Sequence, residues 1–310
     1  MKQTLLKGTA LAAALLVGVA ACDDTGTTGL TEGDATLKVL LTDAPADYVS
    51  AARVDIGAVE LVPGEGEEGG IITLSEDGTD GYVDLLDLQG EATAQLAELE
   101  IESGTYSQIR LIVDSAEVEL IDGYTFNDGS TTKTLFVPSG AQTGIKLNLT
   151  GSNGDGEGTG GGVEIAPGET VLVLDFDVNQ SFVMQGNAES PAGINGILFT
   201  PTIRVVVNDV AGSIAGTVTA AADSINVEGL VVTADPLGDG ALEDYQSQTA
   251  TATTDSAGTY TMHFLVPGDY AVSVAADSGF VADPASTDVS VGEAEDVTGI
   301  DFEIDEQSGG

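Results

Sequence analysis

Asp175 and Asp177, two apart in "VLDFD", are residues whose type and spacing could do chemistry. On a β-strand such side chains face the same way, and two neighbouring carboxylates suit an acid/base pair for hydrolysis. They suit a metal ion as well. A structural role is the third reading, with one carboxylate paired to Lys146 or Arg110 or capping a turn; in so acidic a chain such pairs arise by chance. His263 is the only histidine, so any Ser-His-Asp relay would need it, and no G-x-S-x-G elbow is present to hold a serine. A single histidine builds no Cys/His zinc site. Asn153-x-Asp155-x-Glu157-Gly158, followed by Glu164, has the outline of a calcium loop. Calcium is the cofactor it would take, but Asn153 replaces the usual first Asp, Gly160 replaces an apolar residue, and strands rather than helices are expected to follow. A flexible loop is the simpler reading. "GAQTGIK", residues 140–146, has a phosphate loop's composition but not its glycine spacing, and Leu147 stands where a magnesium-binding hydroxyl belongs. It reads as a turn entering a strand. No residue is assigned to catalysis.

Cys22 is the only cysteine, so it has no partner within the chain. Lys2 and Lys7 precede an apolar run over residues 10–21, too short to span a bilayer, which takes about 20 residues. The segment Val19-Ala20-Ala21-Cys22 resembles the bacterial lipobox. That resemblance implies a signal peptide over residues 1–21, cleavage before Cys22 and lipid attachment to its sulfur; more than one acyl chain gives stable anchoring. Residues 22–34 are polar and rich in Gly and Thr, as a flexible tether would be. Asp23 and Asp24 stand where sorting signals of such proteins lie.

The elements that must position these residues follow from composition and period. The chain has 310 residues, enough for two domains. Its 41 glycines, against a norm of about 7%, suit many short strands joined by tight turns. A formal net charge of −43 repels phosphates, so nucleic acid is excluded as a partner. Such charge with few aromatics can signal disorder, but Val/Ile/Leu alternation runs through nearly the whole chain. The acidic residues read as a solvated surface. The expected fold is all-β, with two antiparallel sandwich-type domains over residues 35–208 and 211–305. In the first, residues 35–42, 54–62, 81–86, 107–113, 116–121, 134–137, 144–149, 170–176, 196–199 and 203–207 read as strands, and 90–99 as a short helix. In the second, seven strands are expected over residues 213–219, 230–234, 248–253, 259–264, 269–275, 287–291 and 297–302. Period two puts Tyr260, Met262 and Phe264 on its core face and Thr261 and His263 on the other. This region has no Lys or Arg.

Two family resemblances follow from ordered motifs. "LLTDAPADY", "VDLLDL", "SGTYSQIRLIV", "VPSGAQTGIKL", "VLDFD" and "PTIRV" together resemble domain of unknown function 4382 of bacterial envelope lipoproteins. This implies an extracytoplasmic domain and transfers no catalytic residue. "TDSAGTY" followed by "LVPGDY", with "GSIAGTVT" and "VTGIDFEI", resembles the carboxypeptidase regulatory-like domain, which is similar to prealbumin. This implies a seven-stranded sandwich acting as a spacer, stabiliser or sugar-binding-like module, not a peptidase. The reading is a non-catalytic, lipid-anchored protein of the bacterial cell envelope, with the membrane as partner and a structural or display role. The alternatives are a surface glycan-binding module, for which Tyr245 is the one loop aromatic, and a hydrolase using Asp175 and Asp177. A glycan or another envelope protein would be the further partner.

Overall fold

The computed structural model describes residues 34–44, 49–65, 67, 69–90, 92–137, 143–149, 162–187, 193–222, 224–237, 249–275 and 280–306. Cys22, Asn153, Asp155, Glu157 and Tyr245 lie outside the described residues.

The first domain opens with β1 (Asp34–Ala44), whose Leu37, Val39 and Leu41 are fully buried while the residues between them are partly exposed. It is one of the two inner strands of a four-stranded sheet. β1 pairs in parallel with β10 (Gly168–Asp177) and antiparallel with β5 (Ala94–Glu102), and β10 pairs with β13 (Ile203–Val207). Residues 94–102, which overlap the helix expected over 90–99, are thus a strand. Their Ala, Leu, Gln and Glu favour a helix locally, but pairing along β1 and burial of Leu96, Ala97 and Ile101 outweigh that preference. The second sheet is built on β2 (Val49–Pro63) and β6 (Gly104–Leu120), a long antiparallel pair. β3 (Ile72–Ser75) and β4 (Tyr82–Asp84) flank β2, while β7 (Thr132–Leu135), β8 (Ile145–Asn148) and β9 (Val163–Ile165) flank β6. Bulges around Ile56 break the alternation of β2, so Val54 and Ile56 before them and Val59 and Leu61 after them all point inward. The two sheets share one apolar core. A one-turn helix, α1 (Val178–Ser181), leads to the ribbon of β11 (Phe182–Asn187) and β12 (Gly193–Phe199), where Phe176, Phe182 and Phe199 pack together at 5.0–6.5 Å between ring centroids.

The second domain has its own core between two sheets. One sheet carries β14 (Gly212–Ala220), β17 (Thr259–Leu265), β19 (Phe280–Asp283), β21 (Asp296–Thr298) and β22 (Phe302–Glu306). The other runs β16 (Ala250–Thr253), β15 (Val231–Pro236), β18 (Gly268–Val274), β20 (Thr287–Val291). The last expected strand divides into β21 and β22, and β19 joins them. Pairing is mainly antiparallel, but β14 pairs in parallel with both β21 and β22. The "TDSAGTY" stretch is a turn held by one carboxylate: Asp255 Oδ1 accepts from the amides of Ala257 and Thr259 at 2.8 and 2.9 Å. Gly258 sits at φ 78°, with no room for a side chain against the Val218 carbonyl. "LVPGDY" is closed by the buried Tyr270 hydroxyl, which donates to the Val266 carbonyl at 2.6 Å.

Candidate functional site

Alternation along the sheet of the first domain puts Leu172, Leu174 and Phe176 into the core and Val173, Asp175 and Asp177 on the opposite face. Arg204 lies across from Asp175 in register, and Thr42 lies on its other side. This face is not solvated: Thr42, Val173 and Val206 are essentially fully buried, Asp175 is 6% exposed and Asp177 5%. Two carboxylates, Asp175 and Asp177, therefore sit on one face in a dry environment at the end of β10.

Arg204 answers one of them. Its Nη2 forms a close ion pair with Asp175 Oδ2, and the two side chains are 10% and 9% exposed. Burial works against the guanidinium charge, but Asp175 outweighs it and holds Arg204 above its ordinary value. The expected partners, Lys146 and Arg110, are elsewhere, facing each other across β6 and β8 in the other sheet. Asp177 takes the capping role: its Oδ1 accepts from the Gln180 amide at 2.9 Å and its Oδ2 from Gln180 Nε2 at 2.8 Å. Thr42 Oγ1 donates to the carbonyls of Leu88 and Ala92 at 2.8 and 3.0 Å, pinning these two residues beside β1.

Burial pushes the Asp177 carboxyl above its ordinary value; the Gln180 bonds oppose this only in part, and the Asp175 charge adds to it. A carboxyl raised in the folded state contributes stability below the ordinary carboxylate range and loses it as pH rises through the folded value. Asp177→Asn keeps a capping oxygen and removes the charge. The stability of the variant relative to the parent is expected to improve steadily as pH rises from acid to neutral, measured by urea unfolding across pH. A difference independent of pH would show that the carboxylate is not held in a desolvated site.

The second domain closes over this face. β16 sends Ala250 and Ala252 into its core and presents Thr251 and Thr253 outward; β17 buries Tyr260 and Met262 and presents Thr261 and His263. Phe264 does not continue the core face as expected. It takes φ 55°, a left-handed conformation costly for a bulky residue, so Leu265 rather than Phe264 fills the core. The outward faces enclose a cavity of about 130 Å³ lined by Asp43, Gln89, Asp175, Arg204, Thr251 and His263, among others. Phe264 also lines it, and both His263 and Phe264 border a second hollow of about 230 Å³ with Asn208, Ser213 and Asp296. Thr251 Oγ1 is buried with no hydrogen-bond partner among the described residues. Arg204 reaches electrostatically into the second domain, where its charge opposes the upward push of burial on Tyr270.

Of the calcium-loop candidates, only Glu164 is described; it is an exposed residue of β9 opposite Thr105. Among the described residues, no three His, Cys, Asp or Glu side chains converge as a metal site would require, and no helix is long and apolar enough to cross a membrane. The wall that the second domain adds to the Asp175–Asp177 pair was not foreseen. Its only signal in the sequence is the polar outward face of Thr251, Thr253, Thr261 and His263.

Two β-sandwich-type domains meeting over a buried ion pair define an all-β protein built from paired modules. The chain belongs to the family described as domain of unknown function (DUF4382), which matches residues 34–191, and residues 213–304 match the carboxypeptidase regulatory-like domain. No curated protein matches the chain. Similar solved structures include the Bacillus anthracis TIE protein, at 10% identity and a TM-score of 0.23 over 89% of this chain. This chain spans only 34% of the TIE protein. GBS52, the minor pilin of Streptococcus agalactiae, has 9% identity and a TM-score of 0.24, covering 90% of this chain and 98% of its own. BcpA, the major pilin subunit of Bacillus cereus, has 10% identity and a TM-score of 0.24, covering 88% and 100%.

Proposed function

We propose that the chain is a non-catalytic, lipid-anchored protein of the bacterial cell envelope, in which two β-domains serve as a structural or display module. The observation that carries the non-catalytic reading is the occupation of the aspartate pair. Asp175 is bound in an ion pair with Arg204, and Asp177 caps α1 with both oxygens engaged. A hydrolytic pair needs one carboxylate free to take a proton from water and another free to give one. The anchor rests on the residues around Cys22: a basic start, a short apolar run and small residues before a single thiol.

Phase partitioning of cell extracts with a clouding detergent tests the anchor. The parent chain is expected in the detergent phase and Cys22→Ser almost wholly in the aqueous phase, because the acyl chains supply the membrane affinity. Retention of the Ser variant with the membranes would remove the lipid from the proposal.

A further inference from the structure

We propose that the outer face of β6 and β8 binds an acidic sugar, with Arg110 and Lys146 holding its carboxylate. The chain has eight Lys and Arg residues against 51 Asp and Glu. Lys2 and Lys7 lie outside the described residues. Lys38, Arg53, Lys133 and Arg204 each form an ion pair with at least one carboxylate. Arg110 and Lys146 form none among the described residues. They stand directly opposite each other in the β6–β8 ladder, Arg110 half-buried and Lys146 exposed. Like charges so placed destabilise a sheet. Glu60 on β2 is in register with Arg110 on its other side, yet the guanidinium does not close on it. Two cations side by side, in a chain this acidic, break a local rule, and such breaks are expected at functional sites.

The pair is held ready for a planar anion. Arg110 Nε donates to Gln108 Oε1 at 2.9 Å, and Gln108 Nε2 donates to Asn148 Oδ1 at 3.0 Å. These bonds fix the guanidinium by its Nε and leave its two terminal nitrogens for a ligand. That fork matches the two oxygens of a carboxylate, and the Lys146 ammonium adds a point charge beside it. Gln108 and Asn148 stand opposite each other on the same face. Amides both donate and accept hydrogen bonds, as sugar hydroxyls do. Val62 and Ile112, half-buried on this face, offer apolar contact to the C–H groups of a sugar ring. The net charge of −43 repels anions at long range, but at physiological ionic strength such a field fades beyond about 8 Å. A single carboxylate among neutral hydroxyls therefore reaches the pair at less cost than an acidic peptide, which brings charge after charge.

The chain has three arginines, so isotope-labelled arginine gives three Nε–H signals, and the one missing from Arg110→Lys belongs to Arg110. The full chain would be titrated with methyl glucuronide and followed at that signal by NMR. A saturable shift is expected, weakened severalfold by half-molar salt. Methyl glucoside, the same ring without the charge, is expected to give none. Acetate, a carboxylate without hydroxyls, and tetraglutamate are both expected to bind severalfold more weakly than the glucuronide. Lys146→Gln is expected to weaken glucuronide binding about tenfold. Glu60→Gln, which removes the neighbouring negative charge, is expected to tighten it about twofold. Circular dichroism would first show both variants folded. No saturable shift, an equal shift with the glucoside, acetate or tetraglutamate binding as tightly as the glucuronide, or parental affinity in folded Lys146→Gln would overturn the assignment.

Discussion

Replacing Arg204 with methionine is expected to destabilise the first domain by about 3–5 kcal/mol, the usual cost of leaving a buried charge without its partner. The size follows from what remains. Asp175 and Asp177 are each at most 6% exposed, and Asp177 keeps its bonds to Gln180, which offset part of its burial. With Arg204 absent, Asp175 must stay charged in a dry site, take up a proton, or open the crease to water. Three companion measurements separate electrostatics from lost packing. The Met variant should regain stability relative to the parent as pH falls, because protonation relieves the orphaned carboxylate of Asp175. A double Arg204→Met, Asp175→Met variant should recover most of the loss, since apolar replacements for a buried pair are often nearly neutral. Arg204→Lys should fall between, keeping a charge but losing the planar fork. Denaturant midpoints would report all three. A loss under about 1 kcal/mol for the Met variant would place the pair in solvent rather than in the crease.

The second large effect is expected at Gly216. It stands opposite Tyr260 in the β14–β17 ladder, and a Cβ there would overlap the Ile300 carbonyl. That carbonyl accepts the Tyr260 hydroxyl at 2.6 Å. Gly216→Ala must therefore push apart backbone that cannot rotate away, and loosen a hydrogen bond of a buried aromatic residue. A cost of about 3 kcal/mol to the second domain is expected, at the upper end for overpacking. Gly196→Ala on β12 is the control: nothing lies within 4 Å of its Cβ, so a change within about 1 kcal/mol is expected. Thermal unfolding of the full chain would compare them. A transition for Gly216→Ala indistinguishable from that of the control would sink the steric argument.

Where local pattern and tertiary pairing agree, the sequence was easy to read. Residues 203–207 and 287–291 were expected as strands and are β13 and β20 to the residue. Where they conflict, pairing prevailed. Residues 94–102 have helix-forming side chains but form β5, because β1 needs a partner on that edge and a bulge at Val39/Leu40 accommodates them. Phe264 failed differently: period two is a property of extended backbone, and one residue in the left-handed region ends it. The mixed pairing was hidden too, since parallel contacts such as β1–β10 join segments more than a hundred residues apart. In the candidate site, the aspartate pair was visible, but its cation was not. Arg204 is 29 positions from Asp175, and no local rule prefers it to Lys146 or Arg110. Only strand order selects it.

The parallel pairings have a mechanical consequence. β1, the first described strand, is held along its length between β10 and β5, and in the second domain the first strand, β14, lies parallel to the last, β22. In the second domain, a pull on the entry of β14 opposed at the exit of β22 loads the rungs between these parallel strands in shear. Rungs loaded in shear must yield together, whereas a hairpin pulled at its open end unzips one rung at a time. The second domain is thus built to carry tension between its two ends.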